Sequence, residues 1–251
     1  MKAELRNHVV IITGAANGIG RAIAYAAAQA GAQALFLTDI DRDGLNDTAN
    51  DLSNEIEVHA YQGDLAKTSM PHTIASTAFQ RFNRIDALVN AAGITTRASF
   101  IEGTTSQWES IFAINSRAPF FLMQETIQNL KKRNAPGAIV NIQSINAHCG
   151  APDLAIYSAS KGALQTLTKN AANAHLADRI RINGINLGWA HTEGEHYMQS
   201  QTLGKGDGWI EEAAKMRPLG RLISPEDAAY ERLFAQPCFR AIDRCLNRSG
   251  I

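Results

Sequence analysis

Six short apolar runs recur along the chain, and a longer segment typical of a helix separates most of them from the next. Most runs are nearly continuous in apolar residues, which is typical of strands covered on both faces in a parallel sheet. This alternation predicts right-handed βαβ units, and hence an α/β fold with a Rossmann-like, doubly wound parallel sheet between two layers of helices. The predicted strands are VVII (9–12), ALFLT (34–38), IEVHAYQ (56–62), IDALVN (85–90), GAIVNI (137–142) and IRINGIN (180–186). The predicted helices cover 18–31, 41–53, 68–82, 105–133 and 157–177.

Composition limits the class of protein. No Pro- or Gly-rich linker interrupts the alternation, so residues 1–251 are expected to form a single domain. The 24 Lys and Arg residues balance 24 Asp and Glu residues, which argues against a nucleic-acid partner. No apolar run approaches the roughly 20 residues that span a bilayer, and the first residues lack the apolar core of a signal peptide. We therefore expect a cytoplasmic protein with no membrane partner.

Metal binding is not expected. The three cysteines, Cys149, Cys238 and Cys245, are too few and too scattered for a disulfide framework or a zinc site. His191 and His196 lie close together, but two histidines on one flexible segment more often stay unliganded.

A glycine-rich segment, TGAANGIG (13–20), joins the first predicted strand to the first helix. Its glycines suit a tight turn, a close approach of backbone to a phosphate, and close packing of helix on strand. The helix N-terminus then directs amides and the positive end of its dipole at a pyrophosphate. In this context the segment predicts dinucleotide binding rather than an empty structural turn. The predicted contacts are Gly14, Asn17, Gly18, Ile19 and Gly20.

Asp39 ends the second predicted strand. A carboxylate there can accept hydrogen bonds from both ribose hydroxyls of an adenosine and would repel a 2′-phosphate. Arg42 follows three residues later, but no arginine adjoins Asp39. The position therefore favours NAD over NADP. The alternative is a helix N-cap, since Asp39 and Asp41 both precede a helix.

The segment YSASK (157–161) places a phenol and an amine four residues apart. On a helix these positions share one face, with Cβ atoms roughly 5–6 Å apart. An ammonium beside a phenol favours the phenolate, so Tyr157 could act as an acid or base near neutral pH. The alternative is a surface helix with Tyr157 packed and Lys161 solvated.

Taken in order, these motifs resemble those of the short-chain dehydrogenase/reductase family, over about residues 8–230. The matching residues are TGAANGIG (13–20), Asp64-Leu65 after the third strand, NAAG (90–93), Asn115, Ser144 and YSASK (157–161). The resemblance implies cofactor contacts from Asp64, Leu65, Asn90, Ala91 and Gly93. Ala91 replaces an asparagine usual in the family, and little harm is expected because the backbone there lines the cofactor.

The resemblance also implies a catalytic set of four residues. Tyr157 would be the acid/base, and Lys161 would lower its pKa and bind the nicotinamide ribose. Ser144 would orient the substrate oxygen, and Asn115 would hold a water that relays protons from Lys161. Hydride transfer leaves one proton to move, so one tuned base suffices and no metal is needed. Seen alone, Ser144 would be a strand-end turn residue and Asn115 a buried amide satisfied by backbone at a helix kink.

The segment NLGWAHTEGEH (186–196) departs from the family pattern at Leu187, where proline is usual. Gly188 and Thr192 remain and are predicted cofactor contacts, with Thr192 at the carboxamide end of the nicotinamide. Residues 193–216 are expected to form a loop and helices that cover the substrate. Glycines 204, 206 and 208 would give that segment the mobility of a lid.

The substrate pocket is expected to be polar with one aromatic wall. Its predicted residues are Ser144, Asn146, His148, Tyr157 and Trp189, with Thr95, Arg97, Gln143, Glu193, Glu195 and His196 nearby. Such a wall favours a sugar or polyol as substrate. The alternative substrate is a small hydroxy acid or ketone, with Arg97 as a carboxylate partner. The alternative for these side chains is that they lie in solvated loops and contact no substrate. The predicted function is NAD-dependent oxidation of a secondary alcohol or reduction of its carbonyl; the alternative is an impaired or non-catalytic NAD-binding protein.

Residues 230–251 form an atypical tail. The resemblance implies a last apolar strand here and assembly into a homodimer or homotetramer, but the segment has no apolar run of four and is interrupted by arginines. This leaves open whether the final strand is missing or replaced. One hypothesis is a shifted reading frame: read one base along with permissible codons, residues 231–251 give SASSLSPASGLSTGALIDQE, which resembles the family's usual ending. The other is a naturally divergent helix.

Overall fold

The structure is a computed structural model that describes residues 5–229. Its centre is one six-stranded, parallel sheet with the strand order β3-β2-β1-β4-β5-β6. The strands are β1 (Val9–Thr13), β2 (Ala34–Asp39), β3 (Glu57–Gln62), β4 (Ala87–Asn90), β5 (Gly137–Ser144) and β6 (Ile180–Leu187). The predicted Rossmann-like, doubly wound fold is confirmed, and all six predicted strands are present within one or two residues of their predicted ends.

Two layers of helices cover the sheet. The helices are α1 (Gly18–Gln29), α2 (Arg42–Leu52), α3 (Met70–Phe82), α4 (Thr105–Phe112), α5 (Ala118–Lys132), α6 (Asn146–Cys149), α7 (Ala155–Ala174), α8 (Glu193–Tyr197), α9 (Trp209–Lys215) and α10 (Pro225–Ala229). Alternate strand residues face opposite layers: Val10 and Ile12 pack with side chains of α1 and α2, and Ile11 packs with side chains of α3, α5 and α7. The core is therefore split into two apolar slabs, one on each face.

The predicted helix over 105–133 is divided. A π-helical turn, Ala113–Arg117, separates α4 from α5 and contains Asn115. The prediction of one continuous helix is wrong at this point because the side chain of Asn115 is bound to backbone outside the helix. The predicted helix over 157–177 begins two residues earlier, at Ala155.

The lid segment predicted over 193–216 consists of α8, a second π-helical turn (Met198–Thr202) and α9. Gly204 and Gly206 between them have φ of 65° and 64°, which glycine adopts without strain. The expected role of the segment 193–216 in covering the substrate stays a prediction. The atypical tail, 230–251, lies outside the described residues, and so does the question of a final strand.

The edges of the sheet within residues 5–229 are β3 and β6. No helix in that part of the chain is both long and apolar enough to cross a bilayer.

Candidate active site

A cavity of about 620 Å³ opens where the strands end at their carboxyl termini. The order of the strands reverses between β1 and β4, and ligands of doubly wound sheets bind at such a switch point. Most of the predicted site residues line this cavity: Gly14, Asn17, Gly18, Ile19, Gly20, Asp39, Asp64, Leu65, Ala91, Gly93, Ser144, Asn146, Tyr157, Lys161, Gly188, Trp189 and Thr192. Asn90, Asn115 and His148 do not line it.

The glycine-rich turn is built so that backbone, not side chains, faces the cavity. Gly14 has φ of 69°, and a Cβ atom on Gly20 would lie 1.9 Å from the Gly14 carbonyl oxygen. The Asn17 side chain gives α1 no capping hydrogen bond. The first N–H groups of α1, which lack partners within the helix, are thus available to an anion in the cavity. The residues present fit the pyrophosphate of a dinucleotide.

Asp39 is held in a fixed orientation at the end of β2. One carboxylate oxygen accepts from Ala16 N and the other from Asp41 N, both at 3.0 Å. The N-cap of α2 is Asp41, whose side chain accepts from Asp43 N and Gly44 N. The capping alternative therefore applies to Asp41, and Asp39 lines the cavity.

Tyr157 lies in the first turn of α7 and is 9% exposed. Burial raises the pKa of its phenol, a hydrogen bond with Ser144 lowers that pKa, the charge of Glu195 raises it, and the charge of Arg97 lowers it. The net direction is upward. Burial of the phenol outweighs the favourable contacts, and Lys161 is not among the groups that shift this pKa. The expected lowering of the Tyr157 pKa by Lys161 stays a prediction.

Lys161 lies below Tyr157 on the same face of α7. Its Nζ donates to Ile142 O at 2.8 Å and lies 5.9 Å from the centroid of the Tyr157 ring. Burial lowers the pKa of this amine to about 8. The surface-helix alternative is excluded, since Lys161 is buried and lines the cavity.

Asn115 acts as a brace within the π-helical turn. Its amide accepts from Ile94 N and donates to Ile94 O, both at 3.0 Å, and also donates to Ser160 Oγ at 3.0 Å. Ser160 Oγ in turn donates to Tyr157 O. The backbone-contact alternative for Asn115 is thus what the structure contains. The water relay stays a prediction.

Asn90 does not present its side chain to the cavity. It is 2% exposed, and its Nδ2 donates to Asn141 Oδ1 on the neighbouring strand at 2.8 Å. Asn141 and Gln143 both donate to Thr168 on α7. These buried amides fix β4, β5 and α7 to one another, so the Asn90 side chain has a structural partner here, and the expected cofactor contact at Asn90 stays a prediction.

His148 is also displaced from the pocket. It lies on α6, is exposed, and its Nε2 lies 2.7 Å from Gln165 Nε2 on α7. The short helix after β5 turns this side chain away from Ser144, whereas Asn146 stays at the cavity with its N–H on Ser144 Oγ. His148 therefore does not line the cavity here, and its predicted substrate contact stays a prediction.

The lid wall contains residues that sequence reasoning missed. Gln199, Lys205 and Arg217 line the cavity with the expected Trp189 and Glu195, whereas Glu193 and His196 do not. Lys205 Nζ donates to Gln199 Oε1, and the Arg217 guanidinium lies 5.4 Å from the Trp189 ring centroid. Gln199 is buried in the second π-helical turn, and no local pattern distinguishes it from a solvated glutamine.

Thr192 connects the lid to the glycine-rich turn. Its side chain accepts from Glu195 N and begins α8. A Cβ atom on Gly18 would lie 3.3 Å from Thr192 Cβ and Cγ2. The lid therefore begins beside the predicted pyrophosphate site.

Comparison with known proteins agrees with this geometry. The sequence model of a family described as short chain dehydrogenase matches residues 8–202. The 2-(S)-hydroxypropyl-CoM dehydrogenase 3 of Xanthobacter autotrophicus is 31% identical over 237 residues, 93% of this chain and 91% of that protein. The 3-oxoacyl-(acyl-carrier-protein) reductase of Thermotoga maritima is 30% identical, with 92% of this chain and 91% of that protein covered. The crystal structure of L-sorbose reductase from Gluconobacter frateurii, complexed with NADPH and L-sorbose, has a TM-score of 0.87 at 27% identity and covers 93% of this chain and 91% of that one. Because the family's sequence model spans most of the chain and relatives at least 30% identical cover about nine-tenths of it, the chain belongs to the short chain dehydrogenase family of oxidoreductases.

Proposed function

We propose that the chain transfers a hydride between NAD and a secondary alcohol or its carbonyl, with a sugar or polyol as the favoured substrate. The observation that supports this most directly is that Tyr157, Ser144 and Lys161 line one cavity together with the glycine-rich turn. The chemistry that a bound nicotinamide supplies is acceptance or donation of the hydride.

The protein's own part is to position the substrate and to move one proton. Ser144 is the hydrogen-bond partner of the Tyr157 phenol, so a substrate oxygen between them is oriented by both hydroxyls. In oxidation the phenolate of Tyr157 removes the hydroxyl proton of the alcohol; in reduction the phenol donates it. Lys161, with its lowered pKa, stands next to the phenol as a second group able to exchange a proton.

Asp39 supports NAD in preference to NADP. A carboxylate has about four lone-pair sites, and two of those of Asp39 are occupied by Ala16 N and Asp41 N. The remaining sites can accept the two ribose hydroxyls, whereas a 2′-phosphate would meet a fixed negative charge. The similarity to L-sorbose reductase supports a sugar as substrate. That structure contains NADPH, so it does not support the choice of NAD.

The test is a substrate panel followed at 340 nm with both cofactors. Sugars, polyols, hydroxy acids and ketones are offered to the wild type, Tyr157→Phe and the control Tyr61→Phe, which loses a phenol on β3 away from the cavity. Wild type and control are expected to turn over at least one polyol or sugar with NAD. Tyr157→Phe is expected to lose roughly 10²–10⁴-fold in kcat with NAD binding nearly intact. Normal turnover by Tyr157→Phe would contradict the assigned base. NAD binding without turnover of any substrate by the wild type would support the non-catalytic alternative.

A further inference from the structure

A charge pair crosses the cavity beside Tyr157. Arg97, in the loop after β4, donates from Nη2 to Glu195 Oε1 at 2.9 Å, and Glu195 lies on α8 of the lid. We propose that this ion pair, with the second carboxylate oxygen of Glu195 open to the cavity, selects a substrate with a hydroxyl next to the reacting carbon and disfavours one with a carboxylate there. The inference rests on the proposed function and names the substrate class for that site.

Glu195 is fixed by three donors on one oxygen. Oε1 accepts from Arg97 Nη2, from Trp189 Nε1 at 2.9 Å and from Gln199 Nε2 at 2.8 Å. Lys205 holds the other end of the Gln199 amide and so orients its NH₂ group toward the carboxylate. No group within residues 5–229 donates a hydrogen bond to Oε2 of Glu195. That oxygen is a preorganised acceptor at the cavity, and a substrate hydroxyl is the group that satisfies it.

Arg97 is already neutralised and cannot serve as a carboxylate partner. Its side chain is 17% exposed, and its Nη1 donates to Thr95 O. Its Nε lies 3.5 Å from Asp153 Oδ2. With Glu195 on Nη2, two carboxylates share one guanidinium. Only Nε of Arg97 lacks a hydrogen-bond partner, and it already faces the Asp153 carboxylate. A substrate carboxylate entering here would meet a guanidinium whose charge two carboxylates of the chain share, and the negative charge of Glu195 beside it. This argues against the hydroxy-acid alternative considered from the sequence.

The charges of Arg97 and Glu195 act on the phenol of Tyr157. The charge of Glu195 raises the pKa of Tyr157 and the smaller effect of Arg97 lowers it. Tyr157, Ser144, Arg97 and Glu195 also line the same cavity. A substrate held by Tyr157 and Ser144 can therefore place a neighbouring hydroxyl on Oε2 of Glu195. The pocket discriminates between substrates, because a substrate that displaces water from this acceptor without supplying a donor binds more weakly.

The experiment compares three alcohols of nearly equal size. They are 1,2-propanediol, 2-butanol, which lacks the second hydroxyl, and lactate, which carries a carboxylate in its place. The best neutral polyol from the panel and its 2-hydroxy-acid counterpart are run in parallel. The variant is Glu195→Gln, which keeps shape and an acceptor for Arg97, and the matched control is Glu193→Gln, an exposed residue of the same helix that does not line the cavity.

The wild type is expected to prefer diol to 2-butanol and both to lactate in kcat/KM. Glu195→Gln should raise the ratio of kcat/KM for lactate to kcat/KM for the diol by about 10-fold or more. Glu193→Gln should leave this acid-to-diol ratio unchanged. Glu195→Gln should also lower the pH at which oxidation is half-maximal, because the charge that raises the Tyr157 pKa is removed; a merely structural role would not move this value.

Two outcomes overturn the inference while leaving the proposed function in place. One is a wild type whose kcat/KM for 2-butanol or for lactate equals its kcat/KM for the diol. The other is a Glu195→Gln variant with an unchanged acid-to-diol ratio and pH profile. A wild type that turns over no neutral alcohol with either cofactor overturns both proposals together.

Discussion

Lys161 carries an amine that is almost fully buried, with 5% of the residue exposed. Burial lowers its pKa to about 8 from an ordinary value of 10.5, and its only described hydrogen-bond acceptor is Ile142 O. Keeping this buried group protonated at neutral pH lowers the free energy of unfolding, so it destabilises the folded chain. The site therefore contains a destabilising element that its proposed chemistry requires.

Replacing Lys161 with methionine is expected to stabilise the protein and to abolish turnover. At pH 7 the free energy of unfolding should rise by about 1–3 kcal/mol, since the cost of burying the charge exceeds the lost hydrogen bond. Between pH 8 and 10.5 the unfolded wild type binds more protons than the folded one, so wild-type stability rises with pH across this window and the advantage of the variant shrinks.

Urea unfolding of wild type and variant at several pH values between 6 and 10 measures the effect. Lys169→Met on the exposed side of the same helix is the control and should show no such pH dependence. A Lys161→Met variant that is less stable than the wild type at pH 7 would contradict the argument.

The residues of the site differ in how well sequence could identify them. The spacing of Tyr157 and Lys161 places both on one face of a helix, and both do line the cavity. The direction of the Tyr157 pKa could not be predicted, because it depends on burial and on Glu195 and Arg97, which tertiary packing alone brings near it. The burial of the Asn90 side chain against Asn141 could not be predicted either, because a motif position does not state which way its side chain points.

Among the elements, the π-helical turn at Ala113–Arg117 has the clearest structural task. It places Asn115 against the backbone of Ile94 and against Ser160, and Ser116 Oγ donates to Ser160 O at 2.8 Å. The turn thereby joins the loop after β4 to the first turns of α7, where Tyr157 and Lys161 lie. One inserted residue in a helix is a common way to aim a side chain at a functional site.

Asn115→Ala is expected to loosen this junction. It leaves the N–H and C=O of Ile94 without their side-chain partner in a partly buried place, which should cost about 2–4 kcal/mol. For a chain of this size Tm should fall by roughly 5–15 °C. Differential scanning calorimetry measures the change, with Asn46→Ala on the exposed face of α2 as the control. If Asn115→Ala unfolds at the wild-type temperature, the amide is not a brace.

The strands were predictable and the π-helical turns were not, for a physical reason. A strand buried on both faces needs a nearly continuous apolar run, and such runs are visible in VVII or GAIVNI without any structure. A π-helical turn keeps the composition of the helices on either side. What accompanies it is a pair of hydrogen bonds between the Asn115 amide and the backbone of Ile94, 21 residues away, and such contacts leave no local periodicity.

At the scale of the whole molecule, the site depends on the order of strands more than on any one strand. The reversal between β1 and β4 opens the crevice in which Gly14 of one half faces Ala91 and Ala92 of the other; a Cβ atom on Gly14 would lie 2.8 Å from Ala92 Cα. The alternation of strands and helices predicts this reversal. It does not predict the lid wall of Glu195 and Gln199, which forms only when the lid packs against the loop that carries Arg97.

The edge formed by β6 leads to a last prediction, about assembly. Within residues 5–229, β6 pairs only with β5, and its second half is only partly buried, unlike the fully buried β5. A parallel strand is normally covered on both faces and paired on both sides, and an open edge favours poor assembly. If the tail is frame-shifted, replacing residues 231–251 with SASSLSPASGLSTGALIDQE supplies an apolar strand, GALI, that can pair with β6.

The chain with the re-read ending should gain roughly 5–10 °C in Tm, because several apolar side chains become buried. It should also shift toward the homodimer or homotetramer that the family resemblance implies, as measured by size-exclusion chromatography with light scattering. The matched control carries the same ending with GALI changed to GSNS, which keeps length and removes the apolar strand. Equal Tm and equal mass for both chimaeras would show that the edge of β6 does not need this strand. A gain confined to the GALI version would mean that an apolar strand beside β6 promotes assembly, while the proposed catalytic residues, all upstream of position 200, are left unchanged.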